Sequence, residues 1–409
     1  MTNKTAFGCD RSRWQVCKPL EAVDNRHHRR DLCEMTLAIA DELQLLLRPA
    51  GGGLYLVSTG AAEQKALQRR YYGADNDSDV TDAFIANLAR VADQSTRVVV
   101  MGIPSDTGAG FRRGANLGPQ ALRQAMLDQQ PDLHEQQAKD GVVDIGDVFV
   151  VPQLLSDEML SKHQLERARL ALYPDVDEAE RAALPVSPLS TAERAWSLLL
   201  QLNPALIPMT LGGDHSTAWP AVKALHDAGK RFCILQFDAH TDLLSERLGV
   251  KMCFSTWSFH ANNLIGRHKL LVQVGIRATR FSRQHWEDNL DVVQHWAVDV
   301  MRDPEQGIND VVAAVKATGL PCFLSNDIDG TDIEFASATG TPEAVGLSVD
   351  VVDRIIERVG REVGFVGADL MEVAPLLQEQ ARPETLTTAS RYLSTTFTAL
   401  RGRRPPPSQ

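Results

Sequence analysis

Beyond Arg97 the chain alternates short, wholly apolar runs with amphipathic stretches, the pattern of buried strands threaded between helices. The runs 'RVVVMGI', 'GVVDIGDVFV', 'ALIPMTLGG', 'RFCILQFDAH', 'KLLVQVGIR', 'PCFLSNDID' and 'EVGFVGADLMEV' read as strands. Between them 'GPQALRQAML', 'TAERAWSLLLQL', 'WPAVKALHDAG', 'INDVVAAVKATG' and 'VDVVDRIIERVG' read as helices, with Thr191 and Glu193 near the start of the second. Strands apolar on both faces belong in a parallel sheet covered by helices on either side. The pattern predicts an α/β fold, a three-layer αβα domain around a central parallel sheet, over residues 96–398. Within it, residues at about 151–189 are acidic and bounded by prolines, as expected of a surface insertion. Residues 1–95 are mixed, with helical periodicity over Asp31–Leu47, the loop 'RPAGGG' and a short apolar 'LYLV'. They read as a partly helical extension without a chemical motif. The tail 399–409, ending in 'RGRRPPPSQ', is expected to be disordered.

Composition narrows the function classes without naming one. Of 409 residues, 44% are apolar and 23% charged, ordinary for a globular protein with a full core. A net charge of −11 and the isolated pair Arg112-Arg113 give no footprint for nucleic acid. No apolar run approaches the roughly 18 residues a membrane span needs, and 'MTNKTAFGCDRSRW' lacks the apolar core of a signal peptide. Six cysteines without C-x-x-C spacing (Cys9, Cys17, Cys33, Cys233, Cys253, Cys322) read as free thiols in a reducing compartment, the cytoplasm.

Three of the predicted strands end in charged residues. 'TLGGDHS' delivers Asp214 and His215, 'QFDAHTD' delivers Asp238, His240 and Asp242, and 'SNDIDGTD' delivers Asp327, Asp329 and Asp332. In extended chain, alternate side chains share a face, so Asp238, His240 and Asp242 converge. Carboxylates held that close repel one another unless a cation lies between them. Carboxyl ends of strands in open α/β sheets are where ligands bind, which brings the three clusters to one edge. A donor set of carboxylates and imidazoles without thiolate suits Mn²⁺ better than cysteine-held zinc. It holds too many carboxylates for one ion and fits two ions roughly 3.5–4 Å apart that share ligands.

The motifs 'GGDHS', 'DAHTD' and 'SNDIDGTD', in this order, resemble those of the arginase/agmatinase (ureohydrolase) family. The resemblance extends to 'GIPSDTGAGFRRGANLGPQALR', 'DIGDV', 'VQVGIR', 'TGTPEAVGLS' and 'GADLMEVAP' and covers about Val98–Leu393, in agmatinase-like form. It implies the arginase/deacetylase-like αβα fold and two manganese ions. His215, Asp238, Asp242 and Asp327 would hold the first ion; Asp238, His240, Asp327 and Asp329 the second. Asp238 and Asp327 would bridge them. Water activated there would attack the amidine carbon of a guanidino group and release urea and an amine. Glu372 would grip the guanidinium with a bidentate carboxylate. Asp214 and Asp332 would support the site without binding metal. The resemblance also implies a small guanidino or amidino substrate, arginine or polyamine metabolism, and a homotrimer or homohexamer.

Three departures keep the substrate open. The histidine thought to carry protons to the leaving amine, usually in an 'HG' motif, is replaced by Cys253-Phe254. Cys253 itself or His260, seven residues on, would have to stand in for it. The loop by which arginases hold the α-amino and α-carboxyl groups is not recognisable, and Ile333 stands where 'DxxDP' has proline. Agmatine, arginine, guanidinobutyrate, formimidoylglutamate and free guanidine all suit the metal site, and nickel would accept the same ligands. A relative that keeps its metals without turnover is the reading from another class.

Overall fold

The computed structural model describes residues 26–402 apart from Val57, Gln94 and residues 379–383; for residues 26–35 and His134 it describes the backbone alone. Cys9 and Cys17 and the Cys33 side chain lie outside that description, and Cys233, Cys253 and Cys322 carry buried free thiols. No described helix is long and apolar enough to cross a membrane.

The described residues form one nine-stranded sheet. Its strands are β1 (Leu47–Arg48), β2 (Val98–Gly102), β3 (Val142–Val148), β4 (Ile207–Leu211), β5 (Cys233–Phe237), β6 (Leu271–Ile276), β7 (Val293–Trp296), β8 (Cys322–Asp327) and β9 (Phe365–Met371). Their order is β1-β3-β2-β4-β9-β8-β5-β6-β7, all parallel except β1, which runs antiparallel to β3. The apolar runs sort their residues between two cores, one on each face. Val98 and Val100 of β2 pack on one side, Val99 and Met101 on the other.

The sequential strands β4 and β5 leave the chain on opposite sides of β9 and β8, which fill the gap between them. That is a topological switch point, where loops at the carboxyl ends part and open a crevice. The four strands flanking it are those whose ends carry the clustered acids and histidines.

Among the elements that escaped the sequence reading are a strand and a helix that complete the sheet and its cover. β7 is a short edge strand whose residues Gln294, His295 and Trp296 dilute its apolar signal. The helix Glu384–Arg401 is rich in threonine and serine, weak helix formers, yet Thr385, Thr388, Ala389, Tyr392, Leu393, Thr396, Phe397 and Leu400 line its buried face. It runs to Arg401, and residues 403–409 of the expected tail lie outside the described residues. The helix read from Thr191 begins earlier, at Pro188, because proline sits well in a first turn. Within 151–189 the chain forms the helix Lys162–Leu172, capped by Ser161, and returns to the core through Leu184 and Val186.

Residues 26–90 supply the helices Arg26–Leu46, Ala61–Tyr72 and Asp77–Arg90, which close the β3 side of the sheet. A buried ionic knot joins them to it. Arg123 pairs with Asp144 at 2.8 Å and with Asp147, the Tyr71 hydroxyl donates to Asp144 at 2.8 Å, and the Gly51 amide donates to Asp147 at 2.8 Å. Burial raises the Asp147 carboxyl even against the Arg123 charge. Arg123→Met would strand two buried carboxylates and should cost about 3–5 kcal/mol of folding stability. Urea unfolding checks this, and an unchanged midpoint would contradict it.

Candidate metal centre

Each side chain of the site is placed by the end of a strand. β4 runs into Gly212 and Gly213, where a Cβ would collide with Met371 and with the Ser105 carbonyl, so only glycine lets the chain turn here. Asp214 and His215 follow. β5 runs into Asp238, β8 ends at Asp327, and β9 runs into Glu372. Two non-glycine residues of the site take left-handed backbone, Asp242 at φ +52° and Glu372 at φ +62°, a costly conformation that collects at functional sites. The β4 and β9 loops clamp each other: the Glu372 amide donates to Gly213 O and the His215 amide to Glu372 Oε1, both at 2.9 Å.

His215 Nδ1 is the focus. It lies 3.1 Å from Asp238 Oδ2, 3.2 Å from Asp242 Oδ2 and 3.0 Å from Asp327 Oδ2. The other imidazole, His240, places Nδ1 3.1 Å from Asp329 Oδ2 and 3.5 Å from Asp238 Oδ1. Two sets of donor atoms therefore converge, His215 with Asp238 and Asp242, and His240 with Asp238 and Asp329. Asp238 is common to both. Asp327 belongs to neither trio; its Oδ2 faces His215 Nδ1, and its Oδ1 accepts from the Asp329 amide at 2.9 Å.

The donor chemistry fits a cation. Although three carboxylate oxygens crowd it, buried His215 Nδ1 has no hydrogen-bond partner. The reason lies on the far side of the ring, where Nε2 meets Ser325 Oγ at 3.0 Å and that hydroxyl donates to Asp369 at 2.9 Å. A hydroxyl has one hydrogen, so Ser325 must accept from Nε2–H, leaving a lone pair on Nδ1. A lone pair facing three carboxylate oxygens is repelled unless a proton or a metal ion joins them. The carboxyls register the same strain. Burial and then Asp238 push Asp242 up to about 7, burial and then Asp329 raise Asp327 well above the carboxylate range, and burial takes Asp369 to about 7. Burial also lifts Glu372 well above its usual range, with help from Asp327 and Asp214.

The arginase family profile matches residues 96–397, nearly three-quarters of the chain. The chain belongs to the arginase family. Its members are hydrolases acting on guanidino C–N bonds. The chain is 27% identical to the agmatinase of Bacillus subtilis (strain 168) over 301 residues, 72% of this chain and 89% of that protein. It is also 27% identical to N(1)-aminopropylagmatine ureohydrolase of Thermococcus kodakarensis over 303 residues, 73% of this chain and 89% of that one. The solved structure of proclavaminate amidino hydrolase from Streptomyces clavuligerus superposes with a TM-score of 0.57 at 25% identity, covering 75% of this chain and 92% of that one.

The two residues offered as substitutes for the family's histidine take different places. Cys253 is buried in the loop after Asp242, its Sγ 3.4 Å from Ser255 Oγ, beside a pocket of about 410 Å³ bordered by Gly108, Leu248 and Phe254. His260 turns away from the cluster. Its Nε2 meets the Lys251 carbonyl at 2.9 Å, and its ring packs edge-on against Trp219 and Phe259. The helix Trp257–Leu264 instead reaches the site through Trp257, which lies against the His215 ring at 4.6 Å and donates its indole hydrogen to Asp242 Oδ2 at 3.1 Å. Sequence reasoning missed Trp257, Ser325 and Asp369; only a polar residue inside an apolar run marks the last two. Asp214 accepts from Ser216 and from the Gly108 amide at 2.9 Å, and Asp332 from the amides of Glu334 and Gly346, so both brace loops.

Burial lowers the proton affinity of both imidazoles, and their carboxylate neighbours more than reverse this, taking His240 up to about 12 and His215 well up. Protons and a metal therefore compete for these ring nitrogens. Manganese binding should release protons in weakly buffered solution and tighten as pH rises from about 6 to 8. Proton uptake on binding would contradict this.

Proposed function

We propose that this chain is a binuclear manganese ureohydrolase of the agmatinase type, releasing urea from a small linear guanidino substrate. The observation that carries the reading is Asp238, shared by two His–Asp groups at neighbouring strand ends. In this reading His215, Asp238, Asp242 and Asp327 hold one ion, and Asp238, His240, Asp327 and Asp329 the other. Two such ions supply Lewis acidity that activates water at neutral pH.

The remaining work falls to the chain. Glu372 receives the guanidinium: Oε1 is fixed by the His215 amide, and Gly340 leaves room beside Oε2, where a Cβ would stand 3.6 Å away. A planar cation pairing with both oxygens keeps Glu372 ionised against its burial. Asp242, whose Oδ2 is held by Trp257, would take the proton given up by water. Thr341 Oγ1 donates to Asp329 at 3.0 Å and so ties the Gly340–Thr341 loop to the site. The relatives' names attach them to agmatine, aminopropylagmatine and proclavaminate chemistry, which favours a guanidino group on an extended tail. We place the enzyme in the cytoplasm as a homo-oligomer.

The test is urea release from manganese-loaded protein with agmatine, arginine, guanidinobutyrate, formimidoylglutamate and guanidine, scoring ammonia and formamide alongside. Metal-dependent urea from one of them, abolished in Asp238→Asn, is expected. No product across the panel with both ions bound would favour the metal-retaining relative without turnover, which the loss of the family histidine to Cys253 would permit.

A further inference from the structure

Three neighbouring strands each bury a glutamine: Gln236 in β5, Gln273 in β6 and Gln294 in β7. They are register partners, Gln236 opposite Gln273 and Gln273 opposite Gln294. Their side chains join across the sheet. The Trp296 indole donates to Gln294 Oε1 at 3.1 Å, Gln294 Nε2 to Gln273 Oε1 at 2.8 Å, Gln273 Nε2 to Gln236 Oε1 at 2.8 Å, and Gln236 Nε2 to Asp238 Oδ2 at 2.7 Å. Ser258 adds a second donor to Gln236 Oε1 at 2.9 Å, and Gln273 Nε2 also donates to Thr241 O at 2.7 Å, next to Asp242.

The direction of this chain is not a matter of amide assignment. An indole nitrogen only donates and a carboxylate only accepts, so both ends force every amide between them to point toward Asp238. None of the three glutamines leaves a buried atom unpaired. Apolar residues would hold the strands without the cost of burying three amides. The terminus of the relay gives that cost a purpose.

We propose that Gln236, Gln273 and Gln294 are positioning residues, a one-way amide relay that orients Asp238 as the ligand shared by two metal ions. The proposal rests on the reading of Asp238 as a metal ligand. A carboxylate has about four lone-pair directions. On Asp238, Gln236 takes one on Oδ2, and the His240 amide, 2.6 Å away, takes one on Oδ1. One direction remains on each oxygen, with Oδ2 facing His215 and Oδ1 facing His240. That is the number a bridging ligand requires. Amides aligned head to tail also polarise one another, by about 10–30% per bond, so the effect of each link falls with distance from Asp238.

The experiment is equilibrium dialysis of manganese against wild type, Gln236→Met and Gln294→Met, with thermal melting of each metal-free protein. Wild type should hold two ions. Gln236→Met should weaken both in parallel by about 10–100-fold, and Gln294→Met, two links away, by about twofold. Wild-type affinity in Gln236→Met, or loss of one ion alone, would overturn the relay, as would variants that melt lower but bind normally. Should Gln236→Met fail to fold, Gln294→Met decides: weaker binding of both ions supports the relay and unchanged binding overturns it. A wild-type protein that binds no manganese sinks the metal reading and the relay together, which separates the two failures.

Discussion

Charge confined without water is the constraint on which this structure turns. Asp238, Asp242, Asp327, Asp329 and Glu372 are buried around two imidazoles at the ends of four adjacent strands. In a low-dielectric interior such a group is expensive unless counter-charge lies at its centre. Burial and neighbouring carboxylates accordingly raise the proton affinities of Asp242, Asp327 and Glu372. Membership of the arginase family gives that cost a purpose, because two cations shared through Asp238 would turn the repulsion into coordination.

Much of the surrounding architecture serves to hold this arrangement. The glycine pair after β4 lets the His215 loop pass between Ser105 and Met371. Left-handed backbone at Asp242 and Glu372 aims two carboxylates that an extended chain would send elsewhere. Ser325 and Asp369 fix which nitrogen of His215 keeps its lone pair. Outside the site, the Arg123 knot ties residues 51–71 to β3 and so closes one edge of the sheet whose centre carries the chemistry.

The acids and imidazoles that gather at the strand ends were legible because their signal is local: period-two spacing at the end of an apolar run survives in any single sequence. Asp238, His240 and Asp242 stood out in this way, and the αβα architecture followed from runs apolar on both faces. Partners that meet across the sheet carried no such mark. Asp369 lies 44 residues from Ser325, and Gln273 lies 37 from Gln236; nothing local says they touch. A polar residue in the middle of four strand-like runs was the available hint. The place of His260 was equally hidden, since the side of a helix that faces a site depends on what packs behind it, here Trp219 and Phe259.

The most direct measurement is anomalous diffraction at the manganese edge from crystals soaked in manganese. The account predicts two peaks separated by about 3.5–4 Å, one beside His215 and one beside His240, with Asp238 between them. A single peak, or two peaks that do not share Asp238, would contradict it.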